Sequence, residues 1–114
     1  MTAIKRKARP RPRNPKRKAR EFARAYGSPE RVAWIRAMSC LVCRDTPSEN
    51  AHTASGGTGR KADAATIVPL CARCHGELHR NGAKTFQDCY GINLAERARI
   101  IAEMWNAPTQ ENCA

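Results

Sequence analysis

IVPLCARCHGELH, residues 67–79, joins a short apolar run, a C-x-x-C pair and two histidines. The β-branched start of this segment predicts a strand that ends near Pro69. A short helix is expected to follow from Ala72 to Arg80, and Asn81-Gly82 supplies the left-handed residue that ends it. The sequence thus predicts a strand that leads directly into a helix through potential metal ligands.

Two C-x-x-C pairs, Cys40 with Cys43 and Cys71 with Cys74, have 27 residues between them. Each pair can bind one metal ion from a tight turn, and two pairs complete a tetrahedral thiolate shell. Four thiolates leave no open coordination position, so the expected cofactor is a structural zinc ion, whose binding free energy contributes to folding. The alternatives are four reduced, buried cysteines or a thioredoxin-like redox pair, and the redox pair is disfavoured because no βαβ pattern surrounds either motif.

A zinc ion would compensate for a small hydrophobic core. The foldable part of the chain, residues 25–108, is near the size below which such a core alone is marginal. A cytoplasmic location is expected because no signal peptide is evident, and there six cysteines favour metal over disulfides. Cys89 is expected to be a small core residue, and Cys113 to lie without a role in a frayed end, residues 109–114.

Three histidines form a second set of potential functional groups. His75 and His79 are four residues apart on the predicted helix, so they lie on one face and can share a metal ion. Zinc proteases space two histidines in the same way, but they require glutamate directly after the first one, where this chain has Gly76. With His52 as a third imidazole that takes a proton from water, the trio is suited to one-metal hydrolysis of a phosphodiester bond.

The N-terminal segment, residues 1–24, carries most of the positive charge. The chain has 21 lysine and arginine residues against 10 acidic ones, and residues 1–20 alone hold ten basic residues and no acidic one. With little to bury, the segment is expected to be disordered and to bind nucleic-acid phosphates, with a solubilising extension as the alternative. A membrane role is disfavoured because the segment has no apolar face. The candidate nucleic-acid contacts are Lys5, Arg6, Lys7, Arg9, Arg11, Arg13, Lys16, Arg17, Lys18, Arg20, Arg60 and Lys61.

A further helix is predicted before the first cysteine pair. Ser28-Pro29-Glu30 combines an N-cap residue, a proline at the first helical position and an acidic first turn. This helix should end before Cys40. Its expected buried side consists of Val32, Ile35, Ala37 and Met38, with Trp34 near the edge.

Two capping boxes are predicted after the second cysteine pair. Thr85 with Asp88 would open a short helix that ends at Gly91, and Asn93 with Glu96 would open the last helix. The residues of the last helix that recur at helical spacing, and are therefore expected to be core, are Leu94, Ala98, Ile101, Met104 and Trp105.

The order of these motifs resembles that of the HNH endonucleases. It comprises a C-x-x-C pair, Ala51-His52-Thr53, a glycine-rich loop over residues 54–59, and then residues 67–79 with the second pair and the helix histidines. The sequence looks most similar to small phage and prophage members of the Ref-like type, where Phe86 and Tyr90-Gly91 match the segment after the helix histidines. The resemblance spans residues 28–94 and leaves the basic segment outside.

This resemblance implies an α+β fold of the ββα-metal, treble-clef-like type, in which two strands and a helix surround one catalytic divalent cation. His52 matches the general base of the family, and His75 and His79 match its metal ligands on the helix. Besides the structural zinc, the implied cofactor is a catalytic Mg²⁺, Mn²⁺, Ni²⁺ or Zn²⁺ ion. The implied reaction is hydrolysis of DNA phosphodiester bonds to a 5′ phosphate and a 3′ hydroxyl.

Two positions depart from the pattern of the family. Ala51 stands where many members have an aspartate or histidine that is a further metal ligand. Thr66 stands where the family has the asparagine that orients the base. Asp63 is a candidate for the missing carboxylate ligand, and the alternative for it is a solvated acid in a loop.

The sequence therefore predicts a small zinc-stapled domain over residues 25–108, flanked by helices and preceded by a disordered basic segment. The expected function is that of a metal-dependent DNA endonuclease. It would act in the cytoplasm, which is the cytoplasm of the bacterial host if a phage encodes the protein. A partner protein could direct it to its target. The alternative is a non-catalytic zinc module that binds DNA, such as a regulator or a packaging accessory. The three histidines favour the enzyme, because a binding module needs none of them.

Overall fold

A computed structural model of the chain describes residues 14–54 and 62–107. The predicted α+β class is confirmed, since this part of the chain contains five helices and one antiparallel sheet of two strands. The elements, in chain order, are α1 (Pro15–Tyr26), α2 (Pro29–Arg36), β1 (Glu49–His52), a 3-10 turn (Ala64–Thr66), β2 (Ile67–Leu70), α3 (Ala72–Asn81), α4 (Ala83–Tyr90) and α5 (Leu94–Asn106).

The sheet positions the end of β1 against the start of β2. His52 pairs with Ile67, and all four residues of β2 are buried. One residue further on, Thr53 donates to the Thr66 carbonyl from its backbone N–H, at 2.9 Å, and from its hydroxyl, at 2.7 Å. The predicted strand is confirmed, although it includes Pro69 and ends at Leu70. His52 therefore lies at the end of a short sheet that these hydrogen bonds extend by one residue.

Helices α2 to α5 pack around this sheet to form the core. The largest fully buried side chains include Ile35, Ile67, Val68, Leu70, Phe86 and Leu94. On α5 the predicted core residues Leu94, Ala98 and Ile101 are buried. The prediction is wrong for Met104 and Trp105, which are 55% and 37% exposed, because the last turns of α5 extend beyond the packed region.

The N-terminus of α2 is as predicted, and its buried side is as predicted in part, with Val32 and Met38 half-buried. The Ser28 hydroxyl accepts a hydrogen bond from Arg31 N–H at 3.1 Å. Ile35 is buried, whereas Ala37 is exposed and Arg31, which the pattern did not favour, is buried with 3% exposure. The reason is the approach of α1: Gly27 has a φ of +87°, and a Cβ atom there would lie 2.8 Å from Arg31 Cδ. Glycine at this corner therefore permits both the backbone turn and the covering of Arg31.

The two predicted capping boxes have different outcomes. Asn93 Oδ1 accepts from Glu96 N–H at 3.0 Å, so the start of α5 is confirmed. The box at Thr85 is wrong, because Gly82 ends α3 and α4 begins directly afterwards at Ala83, without a side-chain cap. Cys89 is exposed and was wrongly predicted to be core, since it lies in the last turn of α4, whose residues 88–90 are at the surface.

Disorder was predicted through residue 24, and this is wrong for residues 15–24, which form most of helix α1. The prediction considered charge and missed local helix signals. Asn14 Oδ1 caps the first turn by accepting from Lys16 N–H at 3.0 Å, and Arg17 pairs with Glu21 at 3.2 Å. Ala25 is buried and anchors the end of the helix.

Several predicted features lie outside the described residues. They are residues 1–13, most of the glycine-rich loop, the frayed end with Cys113, and the candidate nucleic-acid contacts Lys5, Arg6, Lys7, Arg9, Arg11, Arg13, Arg60 and Lys61. Among the helices that the structure describes, none combines the length and hydropathy required to cross a membrane.

Candidate metal centre and histidine cavity

The four predicted zinc ligands lie in one cluster. The Sγ atoms of Cys40, Cys43, Cys71 and Cys74 all lie within 4.8 Å of one another, and those of Cys43 and Cys71 are 3.4 Å apart. A tetrahedral zinc ion with Zn–S bonds of about 2.3 Å requires sulfur atoms about 3.8 Å apart. Within residues 14–54 and 62–107, this is the one group of three or more histidine, cysteine, aspartate or glutamate side chains that are close enough to share an ion. The cluster can therefore hold a structural metal ion such as zinc.

Each cysteine pair is held by the element beside it. The first pair occupies a turn after α2, and Leu41 N–H donates to the Pro69 carbonyl of β2 at 3.1 Å. The second pair belongs to α3, where Cys71 is the N-cap residue and Cys74 lies in the first turn. The cluster thus ties the turn after α2 to the junction of β2 and α3.

The surroundings shift the pKa values of the clustered thiols in opposite directions. Burial opposes ionisation of Cys40, but backbone N–H donors, foremost that of Cys71, outweigh it and lower the pKa of the Cys40 thiol to about 6. Burial and the neighbouring thiols raise the pKa of Cys74. The hydrogen bond of Arg73 to Cys43 and the charge of that thiolate raise the pKa of Arg73. A cation beside the cluster complements the net negative charge that four thiolates give a bound zinc ion.

All three histidines line a single cavity of about 530 Å³. His52 reaches it from the end of β1, and His75 and His79 reach it from α3. The wall also includes Tyr26 and Asn50. Strand β1, helix α3 and the end of α1 therefore bring together side chains that are far apart in the sequence.

His75 and His79 face each other through their Nε2 atoms, which are 3.0 Å apart. His75 Nδ1 lies 2.8 Å from Glu49 Oε1. A carboxylate only accepts, so Nδ1 carries a proton, and in the neutral form of His75 the Nε2 lone pair faces His79. Two nitrogen ligands at about 2.0–2.1 Å from one ion lie about 2.8–3.4 Å apart for bond angles of 90–109°. The Nε2–Nε2 distance of 3.0 Å falls within this range.

His52 is oriented by the C-terminal end of α1. Its Nε2 lies 2.7 Å from the carbonyl oxygen of Ala25, and its ring contacts Tyr26 edge-on at 5.1 Å. This carbonyl belongs to the last turn of the helix, where no intrahelical donor is available. Because a carbonyl accepts, Nε2 is the protonated nitrogen, and the neutral ring carries its basic lone pair on Nδ1.

The other predicted site residues are not brought to the histidines. The Asp63 carboxylate caps the 3-10 turn by accepting from Ala65 N–H at 2.9 Å, and this residue is absent from the described wall of the cavity. The Thr66 hydroxyl donates to the Asp63 carbonyl at 2.8 Å and not to the base that it was expected to orient. Ala51 is fully buried and faces the core, since neighbouring side chains of a strand alternate.

Glu49 and Asn50 were not predicted. Asn50 Nδ2 donates to the Val32 carbonyl at 3.2 Å, while its Oδ1 is buried without a hydrogen-bond partner among the described residues. Such a group costs about 1–3 kcal/mol and calls for a functional or structural explanation. Strand alternation could have identified Asn50, two residues before His52 on the same face. No spacing in the sequence indicates the contact of Glu49 with α3.

The chain matches the family described as "Protein of unknown function (DUF968)" over residues 13–106, from the residues before α1 to the end of α5. It is 34% identical over 71 residues to "Uncharacterized protein YdfU" from Escherichia coli (strain K12). That alignment covers 60% of this chain and 20% of the relative, so the chain spans about a fifth of the length of that protein. No solved structure matches the chain. Because the family match includes every described helix and strand, the protein belongs to the DUF968 family.

Proposed function

We propose that this chain is a metal-dependent endonuclease of the HNH, ββα-metal type that hydrolyses DNA phosphodiester bonds. The observation that carries the proposal is the cavity on which a fixed imidazole and a facing pair of imidazoles converge. The antiparallel β1–β2 pair followed by α3 supports the fold type. The positions of His52 at the end of the first strand and of the pair on the helix correspond to the roles that the resemblance implies.

His75 and His79 would hold the catalytic cation through Nε2. Such an ion supplies Lewis-acid stabilisation of the charge that develops on phosphorus and on the leaving 3′ oxygen. Glu49 supports this role because it occupies the Nδ1–H of His75 and thereby turns Nε2 towards the ion. Imidazole ligands suit Ni²⁺ and Zn²⁺ better than Mg²⁺ or Mn²⁺, so activity with the first two is expected to be higher.

His52 would act as the general base. With its Nε2–H donated to the Ala25 carbonyl, the ring can take a proton from water at Nδ1, and the water oxygen attacks phosphorus. The bond from phosphorus to the 3′ oxygen breaks, and this oxygen takes up a proton from solvent, which leaves a 3′ hydroxyl and a 5′ phosphate. The structural zinc supports the same site indirectly, because Cys74 directly precedes His75 in the first turns of α3.

DNA would be bound electrostatically by α1. This helix presents Lys16, Arg17, Lys18 and Arg20 to solvent, and its other end reaches the cavity at Tyr26. Lysine and arginine contacts to phosphate give affinity that depends on salt and not on sequence. The alternative function, a non-catalytic zinc module that binds DNA, shares this surface and the cysteine cluster but does not use the histidine cavity.

The test is nicking of supercoiled plasmid by purified protein with Mg²⁺, Mn²⁺, Ni²⁺ or Zn²⁺. The parent is expected to nick with at least one of these ions. Removing an outer partner of a metal ligand typically costs roughly 10–100-fold in activity. His79→Ala removes a proposed ligand itself, so its nicking rate is expected to fall further than that. Asn81→Ala, an exposed residue of the same helix, is the matched control and should nick like the parent. DNA binding without nicking at any ion would favour the non-catalytic module.

A second prediction concerns Glu49. Because this half-exposed carboxylate orients His75, Glu49→Ala is expected to weaken the affinity of the histidine pair for the catalytic ion by about 10–100-fold. The measurement is the metal concentration that gives half-maximal nicking. Glu49→Gln keeps an acceptor oxygen, so its midpoint is expected to lie between those of the parent and Glu49→Ala. Glu103→Ala, another exposed acid, is the control. An unchanged midpoint in Glu49→Ala would show that Glu49 does not support the metal.

A further inference from the structure

We infer that α1 binds an unpaired nucleotide of a single-stranded nucleic-acid segment by stacking its base on Phe22, beside the histidine cavity. This inference deepens the proposed function and rests on it, since it names the form of nucleic acid that would reach His52. It is carried by an aromatic path along α1 and by the charge around that path.

The aromatic path leads from solvent to the cavity in two ring contacts. Phe22 is 40% exposed, and its ring centroid lies 5.4 Å from that of Tyr26. Tyr26 lines the cavity and lies 5.1 Å from the ring of His52. A nucleobase on the outer face of Phe22 would therefore continue a series of packed rings that ends at His52, the proposed general base. The phosphate that reaches His52 would then belong to a nucleotide at most a few positions along the strand from the stacked one.

The charge of α1 identifies the kind of occupant. Lys18, Phe22 and Tyr26 follow one another at four-residue intervals and thus share one side of the helix. The helix carries five basic residues and one acid, Glu21. An exposed aromatic ring among cations is the combination by which proteins bind single strands, with cations along the phosphates and rings against the bases.

The two other exposed aromatic side chains of the described chain lack this charge. Tyr90 is 39% exposed, and its hydroxyl donates to the Glu77 carboxylate at 2.7 Å. Trp105 on α5 is 37% exposed and contacts Trp34, with ring centroids 5.2 Å apart. The two arginines of α5 are balanced by two glutamates, and Arg99 is paired with Glu103 at 2.9 Å. Charge complementarity to a polyanion therefore favours α1, and Trp105 provides a matched control.

Stacking on Phe22 requires a base with a free face. In a duplex each base is already stacked on its neighbours, and extruding it costs a few kcal/mol. A single strand offers its bases without that cost, so it is the preferred substrate form for this surface. The cations of α1 alone would not make this distinction, because they contact phosphates in either form.

The experiment compares the binding of the full chain to two oligonucleotides of equal charge, without added divalent metal so that binding is separated from cleavage. One is a twelve-residue thymidine strand, and the other is the same backbone without bases. The parent is expected to prefer the strand with bases by about 5- to 150-fold, the range for one stacked base. Phe22→Leu, which keeps an apolar contact with Tyr26, should lose this preference without losing affinity for the abasic strand.

Two variants complete the design. Phe22→Trp should keep or increase the preference, and Trp105→Leu should leave it unchanged. Equal affinity of the parent for both strands would overturn the inference, as would an equal loss in Phe22→Leu and Trp105→Leu. Plasmid nicking is measured separately, so a protein that nicks without base preference would refute the stacking alone. A protein that prefers the strand with bases but does not nick would refute the nuclease alone.

Discussion

Cys43→Ala is expected to unfold the domain at room temperature, whereas Cys89→Ala should melt like the parent. Structural zinc contributes about 10–16 kcal/mol to the folding of small zinc domains. Whole domains are stable by about 5–15 kcal/mol, so even partial loss of the metal contribution exceeds the net stability. Cys43 is half-buried, whereas the other three cysteines of the cluster are buried, so replacing it creates the smallest cavity. The loss of stability in this variant therefore reports mainly on the loss of the metal. Cys89 is exposed and lies outside the cluster.

The measurements are metal content by mass spectrometry and thermal unfolding by circular dichroism. The parent should contain one tightly held zinc ion per chain and should unfold when a strong chelator removes it. Cys43→Ala should contain little zinc and show no cooperative transition. If this variant lacked zinc but kept the melting temperature of the parent, the cluster would not stabilise the fold.

His52→Ala is expected to reduce the rate of plasmid nicking by about 10²–10⁴-fold, the contribution typical of a general base. The replacement also removes the hydrogen bond to the Ala25 carbonyl, which is worth about 1 kcal/mol, and the contact with Tyr26. His52→Asn separates the two effects. Its amide can still donate a hydrogen bond in this region, but it cannot accept a proton from water, so nicking should fall as far as in His52→Ala.

Both variants should retain their zinc content and nearly the melting temperature of the parent, because His52 is partly exposed and does not belong to the cysteine cluster. Rates are compared at a saturating concentration of the catalytic ion, so that a change in metal affinity does not enter. A His52→Asn protein that nicks at the rate of the parent would rule out His52 as the base. Equal nicking by all preparations would point to a contaminating nuclease.

Local sequence chemistry predicted the features that depend on a few adjacent residues. The spacing within each C-x-x-C pair, the serine and proline before α2 and the Asn93 cap of α5 are of this kind, and the structure contains all of them. A cap or a metal-binding turn is determined by neighbours along the chain, so it can be identified without knowledge of tertiary packing.

The contacts that define the cavity could not be predicted in this way. The bond of His52 to Ala25 joins residues 27 positions apart, and that of His75 to Glu49 joins residues 26 apart. Both depend on how helices dock on the sheet, which the residue pattern does not specify. The error on α5 has the same origin, because helical periodicity indicates which side faces the core but not how far along the helix the core extends.

In the proposed nuclease, the partner of His52 also sets a lower limit on the size of the reactive unit. A truncated protein that starts at Ser28 would retain both cysteine pairs and all three histidines, which are the features that define the motif. It would lack Ala25, so the imidazole of His52 would exchange a backbone acceptor for solvent and populate both neutral tautomers. In the proposed nuclease, the sequence motif and the functional unit therefore have different boundaries, and helix α1 belongs to the functional unit.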